Sequence, residues 1–155
     1  MVPVGDGLHD RGVTRRVLPF RSGFHAPLLA PYLGRILDTF AGLPVRPPTI
    51  PIWSATTTDL YPDQPEAIHT LVARHLLEPV RFGPLVRRIY KTGVRAFVQV
   101  GTGSLPGFVA DTLVDVQQLA VTANASQRYG QDQLRRVHAE LWGDGWSPRH
   151  ARQPC

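Results

Sequence analysis

Along residues 27–142 the hydrophobic period switches repeatedly between that of a helix and that of a strand. Leu29, Leu33, Ile36, Leu37 and Phe40 recur at steps of three and four, the spacing of one helix face. That spacing predicts a helix over 27–43, with Pro27 and Pro31 in its first turn or at a slight kink. Pro44, Pro47 and Pro48 stop it. A short buried strand follows over 50–54, where Pro51 argues for an edge or a first residue. Residues 55–65, rich in Thr, Asp and Pro, read as a loop. Helices are predicted over 66–77, ended by Pro79, and over 82–92, ended by Gly93. A β-branched and aromatic run over 95–100 reads as a strand, and Gly101-Thr102-Gly103 as a tight turn. Then come a helix over 104–114 with Ser104 as N-cap, a strand over 119–123 and a helix over 129–142. Residues 13–20 offer a further short strand. Strands that alternate with helices require layers, so the fold class is α/β, a parallel sheet with flanking helices.

Composition narrows the function classes. A chain of 155 residues suits one domain and buries roughly 70% of its unfolded surface. No apolar run reaches the ~18 residues of a membrane span, and the polar, Gly-rich start lacks the core of a secretory signal. We therefore expect no membrane association and a cytoplasmic setting. Cys155 is the only cysteine, which excludes an internal disulfide and a cysteine-based metal cluster. The net charge of +5 is almost all arginine, Lys91 being the only lysine. Two readings stand: a GC-rich coding bias, or attraction to an acidic partner. The arginine pairs 15/16, 87/88 and 135/136 are scattered and not interleaved with aromatics, which argues against nucleic-acid binding.

The residues with chemistry are few. His25, in Phe20-Arg21-Ser22-Gly23-Phe24-His25-Ala26-Pro27, stands between a strand-like run and an amphipathic helix. An imidazole there suits proton transfer near neutral pH. The six histidines show no metal spacing: His69 and His75 are six apart on one helix and face different sides, so no metal site is expected. Gly101-Thr102-Gly103 with Gly107 mimics a dinucleotide loop, but its spacing is off by one and no acidic residue ends the next strand. A structural turn is the better reading.

Four runs, in order, carry a resemblance: Phe24-His25-Ala26-Pro27-Leu28, Ile50-Pro51-Ile52-Trp53-Ser54, Leu77-Glu78-Pro79-Val80-Arg81-Phe82 and Phe97-Val98-Gln99-Val100-Gly101-Thr102-Gly103. Together they resemble the C-terminal part of the malonyl-CoA:acyl carrier protein transacylases and polyketide synthase acyltransferase domains. The likeness covers 13–114; residues 115–143 resemble the linker that follows such domains, with 1–12 a flexible lead-in and 144–155 a mobile tail. The fold implied is part of the large, α/β-hydrolase-like subdomain.

The resemblance implies a double-displacement acyl transfer in polyketide or fatty-acid synthesis. A serine on a Gly-His-Ser-x-Gly elbow attacks an acyl-CoA thioester, and the thiol of a carrier protein's phosphopantetheine then takes the acyl group. His25 matches the family's general base. His75 matches the residue whose backbone carbonyl orients that base, although its side chain differs from the Asn or Gln common there. A helix residue at the core's edge is the plainer reading of His75. Phe24 precedes the base as in malonyl-selective modular synthases, where its ring crowds an α-methyl branch; simple packing beside the loop is the alternative. No permanently bound cofactor is implied. The implied partners are an acyl carrier protein and either the N-terminal half of the domain or a larger synthase.

The 155 residues hold no Gly-x-Ser-x-Gly. Gly103-Ser104-Leu105-Pro106-Gly107 has the wrong spacing, and Ser104 is the better N-cap. The family's arginine for the malonyl carboxylate and its oxyanion-hole glutamine also lack counterparts here. We expect the chain alone to be inactive and its sheet to expose an edge and an apolar face. Two alternatives remain: a non-catalytic module docking on a synthase or carrier protein, and one half of a split acyltransferase.

Overall fold

The computed structural model describes residues 23–123 and 130–146. The expected lead-in, the strand at 13–20 and the tail beyond 146 lie outside the described residues.

The helix expected over 27–43 is two elements. Pro27–Tyr32 is a 3-10 turn, and α1 spans Leu33–Ala41. Pro31, inside the first piece, has no amide hydrogen for an α-helical bond, so the regular helix starts only beyond it. The strand expected over 50–54 shrinks to β1, Trp53–Ser54, and the supposed loop after it contains β2, Asp59–Leu60. The two pair antiparallel, Trp53 opposite Leu60 and Ser54 opposite Asp59. Pro51, without an amide hydrogen, fits the chain before β1 rather than the ladder.

Helix α2 spans Pro65–Leu77 and α3 spans Phe82–Lys91. Ile68 and Leu71 of α2 and Leu85 and Val86 of α3 are buried. Gly93, at φ 100°, turns the chain after α3, and its amide bonds to the Tyr90 carbonyl at 3.0 Å. Only a residue without Cβ takes that conformation cheaply.

β3 (Ala96–Gln99), α4 (Leu105–Thr112) and β4 (Leu119–Thr122) form the second unit. The strands pair in parallel, Ala96 opposite Leu119 through Gln99 opposite Thr122. Val86, Val109 and Leu113 form its core, with Phe82, Tyr90, Phe97 and Ala120 packed against them. Helix α5, Gly130–Gly143, lies against β4 and buries Val137. Arg136 fastens it there, giving Nη2 to the Thr122 carbonyl at 2.8 Å and Nη1 to Glu140 at 2.9 Å. Strand β4 and helix α5 are thus built onto the same sheet as β3.

Ser104 precedes α4 but makes no capping bond with its side chain. The buried side chain of Gln99 caps the helix instead, accepting from the Leu105 amide at 3.0 Å and donating to the Gly101 carbonyl at 2.9 Å. An amide side chain reaches both because it carries a donor and an acceptor. The Gly-Thr-Gly turn therefore wraps around a side chain of its own strand.

Parallel sheets ordinarily bury both faces. Here Val98 is 40% exposed, Val100 86%, Leu105 45% and Phe108 53%. Beside them a cleft of about 170 Å³ runs between α3, β3 and α4, lined by Phe82, Val86, Phe97, Leu105 and Val109 among others. No helix among the described residues is long and apolar enough to cross a membrane.

Candidate active site

The site begins with the way α2 ends. An α-helix leaves its last carbonyls without intrahelical partners. The residue before a proline is pushed out of the helical region, and Glu78, before Pro79, is extended at φ −98°, ψ 148°. The helical partner of the His75 carbonyl would be the amide at position 79, four residues on. Pro79 has none. The His75 and Leu76 carbonyls are thus available at the helix end.

His25 takes both. Its amide donates to the Leu76 carbonyl at 2.8 Å, and its ring Nδ1 lies 2.8 Å from the His75 carbonyl. The 3-10 turn that follows packs against α2 and holds this loop in place. His25 has φ 63°, the left-handed region, which a non-glycine residue occupies at a cost of about 1–3 kcal/mol. The two hydrogen bonds to the helix end offset that strain. They also place the imidazole at the C-terminal end of α2.

The ring's protonation follows from its partner. A carbonyl only accepts, so Nδ1 carries a hydrogen in the neutral form and the lone pair sits on Nε2. Nε2 has no hydrogen-bond partner among the described residues, and it is the atom able to take a proton from outside.

The His75 ring meets the His25 ring edge to face, centroids 4.7 Å apart and planes at 68°. Its own Nδ1 is 3.0 Å from the hydroxyl of Thr56. Thr56 stands in the turn between β1 and β2, buried, its amide bonded to the Ser54 hydroxyl at 3.1 Å. The same turn is tied to the α2–α3 junction by the Arg81 amide, which donates to the Ala55 carbonyl at 2.8 Å. Burial holds the His75 pKa below the ordinary histidine value, and a positive charge on His25 lowers it further. On the same helix end, Arg74 pairs with Glu78 at 2.7 Å, which keeps the Glu78 carboxyl below its usual range.

The structure therefore brings together His25 and His75, the two residues singled out by sequence. Phe24, the third, adjoins His25 and is 55% exposed. Sequence reasoning missed Thr56, which was one threonine among several in a loop. It also read Pro79 only as a helix stop; the signal was the four-residue spacing from His75.

No family model matches the chain. The spectinabilin polyketide synthase system protein NorB of Streptomyces orinoci is 30% identical over 107 residues, which is 68% of this chain and 5% of that protein. The acyl transferase domain of SpnD, solved with 2-(pent-4-yn-1-yl)malonyl, superposes with a TM-score of 0.78 at 24% identity, over 90% of this chain and 35% of that one. The malonyl CoA-acyl carrier protein transacylase from Clostridium perfringens superposes with a TM-score of 0.69 at 20% identity, over 89% of this chain and 42% of that one. The chain spans less than half of each of them. Its helices and parallel strands are thus a part of the acyltransferase fold shared by polyketide synthase acyltransferase domains and malonyl-CoA:acyl carrier protein transacylases.

Proposed function

We propose that these residues are the C-terminal portion of an acyltransferase that moves a malonyl-type acyl group from CoA to an acyl carrier protein, with His25 as general base. The observation that carries this reading is the His25 ring, held through Nδ1 by the His75 carbonyl at 2.8 Å with Nε2 unpartnered among the described residues. A serine hydroxyl is a weak nucleophile until a base within reach removes its proton. Nε2 takes that proton as the oxygen attacks the thioester carbon. The CoA sulfur leaves and recovers the proton from the imidazolium. The carrier's phosphopantetheine thiol then gives its proton to Nε2 and attacks the acyl-serine, whose oxygen takes the proton back as the ester breaks. The His75 main chain serves as an anchor.

The serine is not among the 155 residues, so the chain alone is proposed to be inactive. The apolar face at Val98, Val100, Leu105 and Phe108 favours a second form of the same reading, in which the chain is one half of a split acyltransferase. Phe24 is proposed to disfavour an α-methyl branch, a discrimination worth about 1–3 kcal/mol at most.

The test is to mix the chain with an N-terminal acyltransferase half bearing the Gly-His-Ser-x-Gly elbow, add malonyl-CoA and look for serine-linked malonyl by mass spectrometry. Acylation that depends on His25, and disappears in His25→Ala, is the expected result. A mixture that assembles and never acylates, or that acylates equally with His25→Ala, rules the reading out. Salt-dependent binding to a carrier protein without acylation would point to a docking module instead.

A further inference from the structure

The Thr56 hydroxyl has one hydrogen to give and lies in a place that solvent does not reach, 1% exposed. Among the described residues its side chain makes one hydrogen bond, to His75 Nδ1 at 3.0 Å. A buried hydroxyl hydrogen left unpaired is costly, so the hydroxyl donates and Nδ1 accepts. The proton of neutral His75 is then on Nε2. In His25 the order is reversed, because Nδ1 faces the His75 carbonyl.

We infer that Thr56 and the His75 ring are positioning residues that hold two touching imidazoles in opposite tautomers, leaving His25 with its lone pair on Nε2 and a neutral ring beside it. The assignment of tautomers stands on geometry alone; its purpose in catalysis rests on the function proposed above. To take a proton, His75 would have to turn Nδ1 into a donor. The Thr56 hydroxyl would then rotate away and bury its hydrogen with no acceptor. The proton arriving at this pair therefore goes to His25, whose cation meets the His75 carbonyl and not a second cation 4.7 Å away. The edge-to-face contact also restricts rotation of the His25 ring, which keeps Nε2 pointed one way.

The experiment is long-range 1H–15N correlation of the histidine side chains in the full 155-residue chain at neutral pH. The expected spectrum has His25 protonated at Nδ1 and His75 protonated at Nε2, with a pyridine-like Nδ1 signal for His75. Thr56→Val keeps the shape and removes the donor; the pyridine-like Nδ1 signal of His75 should give way to a tautomer mixture. Thr56→Ser should restore it. A His75 protonated at Nδ1 in the unaltered chain overturns the inference, and so does an unchanged His75 pattern in a folded Thr56→Val chain. If Thr56→Val does not fold, the spectrum of the unaltered chain still decides. Opposite tautomers without any serine acylation in the mixing experiment would remove the proposed reaction and leave this inference standing; acylation with like tautomers would do the reverse.

Discussion

His25 touches His75 twice, ring edge to ring face at 4.7 Å and ring nitrogen to backbone carbonyl at 2.8 Å. The second contact fixes where the His25 proton sits, and the first makes the charge of one ring felt by the other.

That coupling has a sign in stability. Burial and the His25 charge both hold the folded His75 pKa below 6.5. The unfolded chain, with its ordinary imidazole, binds the proton more readily. Stability is therefore fully present above about pH 6.5, falls as the pH drops below that, and levels off once the folded His75 has been protonated. Denaturant unfolding between pH 7.5 and 5 should show this loss, and His75→Asn should flatten it. A His75→Asn chain that loses as much stability on acidification as the parent would contradict the account.

Pro79→Ala should return an amide to the position four residues beyond His75. That amide competes with His25 for the carbonyl, and α2 gains a residue. We expect the Nδ1–H signal of His25 to weaken and a new slowly exchanging amide to appear at position 79. Losing one hydrogen bond of this type costs about 0.5–1.5 kcal/mol, so the chain should remain folded while the His25 ring becomes less ordered.

Gln99→Ala should leave the Leu105 amide and the Gly101 carbonyl without their partner, at a cost of about 1–3 kcal/mol. Gly103→Ala attacks the same turn from the other side. Its φ is 147°, and an added Cβ would stand 3.0 Å from Gln99 Nε2. Either change should lower the thermal midpoint. The double variant should cost less than the sum, because both disturb one contact. Strict additivity would separate the two residues.

The apolar face beside β3 should be detectable in solution. The purified chain is expected to bind a hydrophobic dye and to self-associate. Val98→Lys with Phe108→Lys should reduce both, since the two positions are 40% and 53% exposed and a lysine there is solvated. A monomer that unfolds cooperatively and binds no dye would count against an open face.

The helices were legible in the sequence because a three-to-four repeat reports burial directly, as with Ile68 and Leu71. Strand β3 was legible through its β-branched and aromatic run. The hairpin of β1 and β2 was not, since two-residue strands have too few side chains to show a period. Ser104 was read as a cap because its residue type favours one; the capping side chain, Gln99, comes from the preceding strand, and no local rule finds it. For the site, His25 and His75 stood out as motif positions. Thr56 carries no local signal, because its partner is nineteen residues away.

The grip on His25 comes from main-chain oxygens at 75 and 76, and every amino acid brings the same oxygen. Side chains at those two positions can change without removing the anchor, while insertion or deletion of a single residue before Pro79 would put the wrong carbonyl under the ring. For the anchor itself, tolerance to replacement and intolerance to length change should therefore meet in this short segment, and a library that varies spacing rather than identity would locate that constraint.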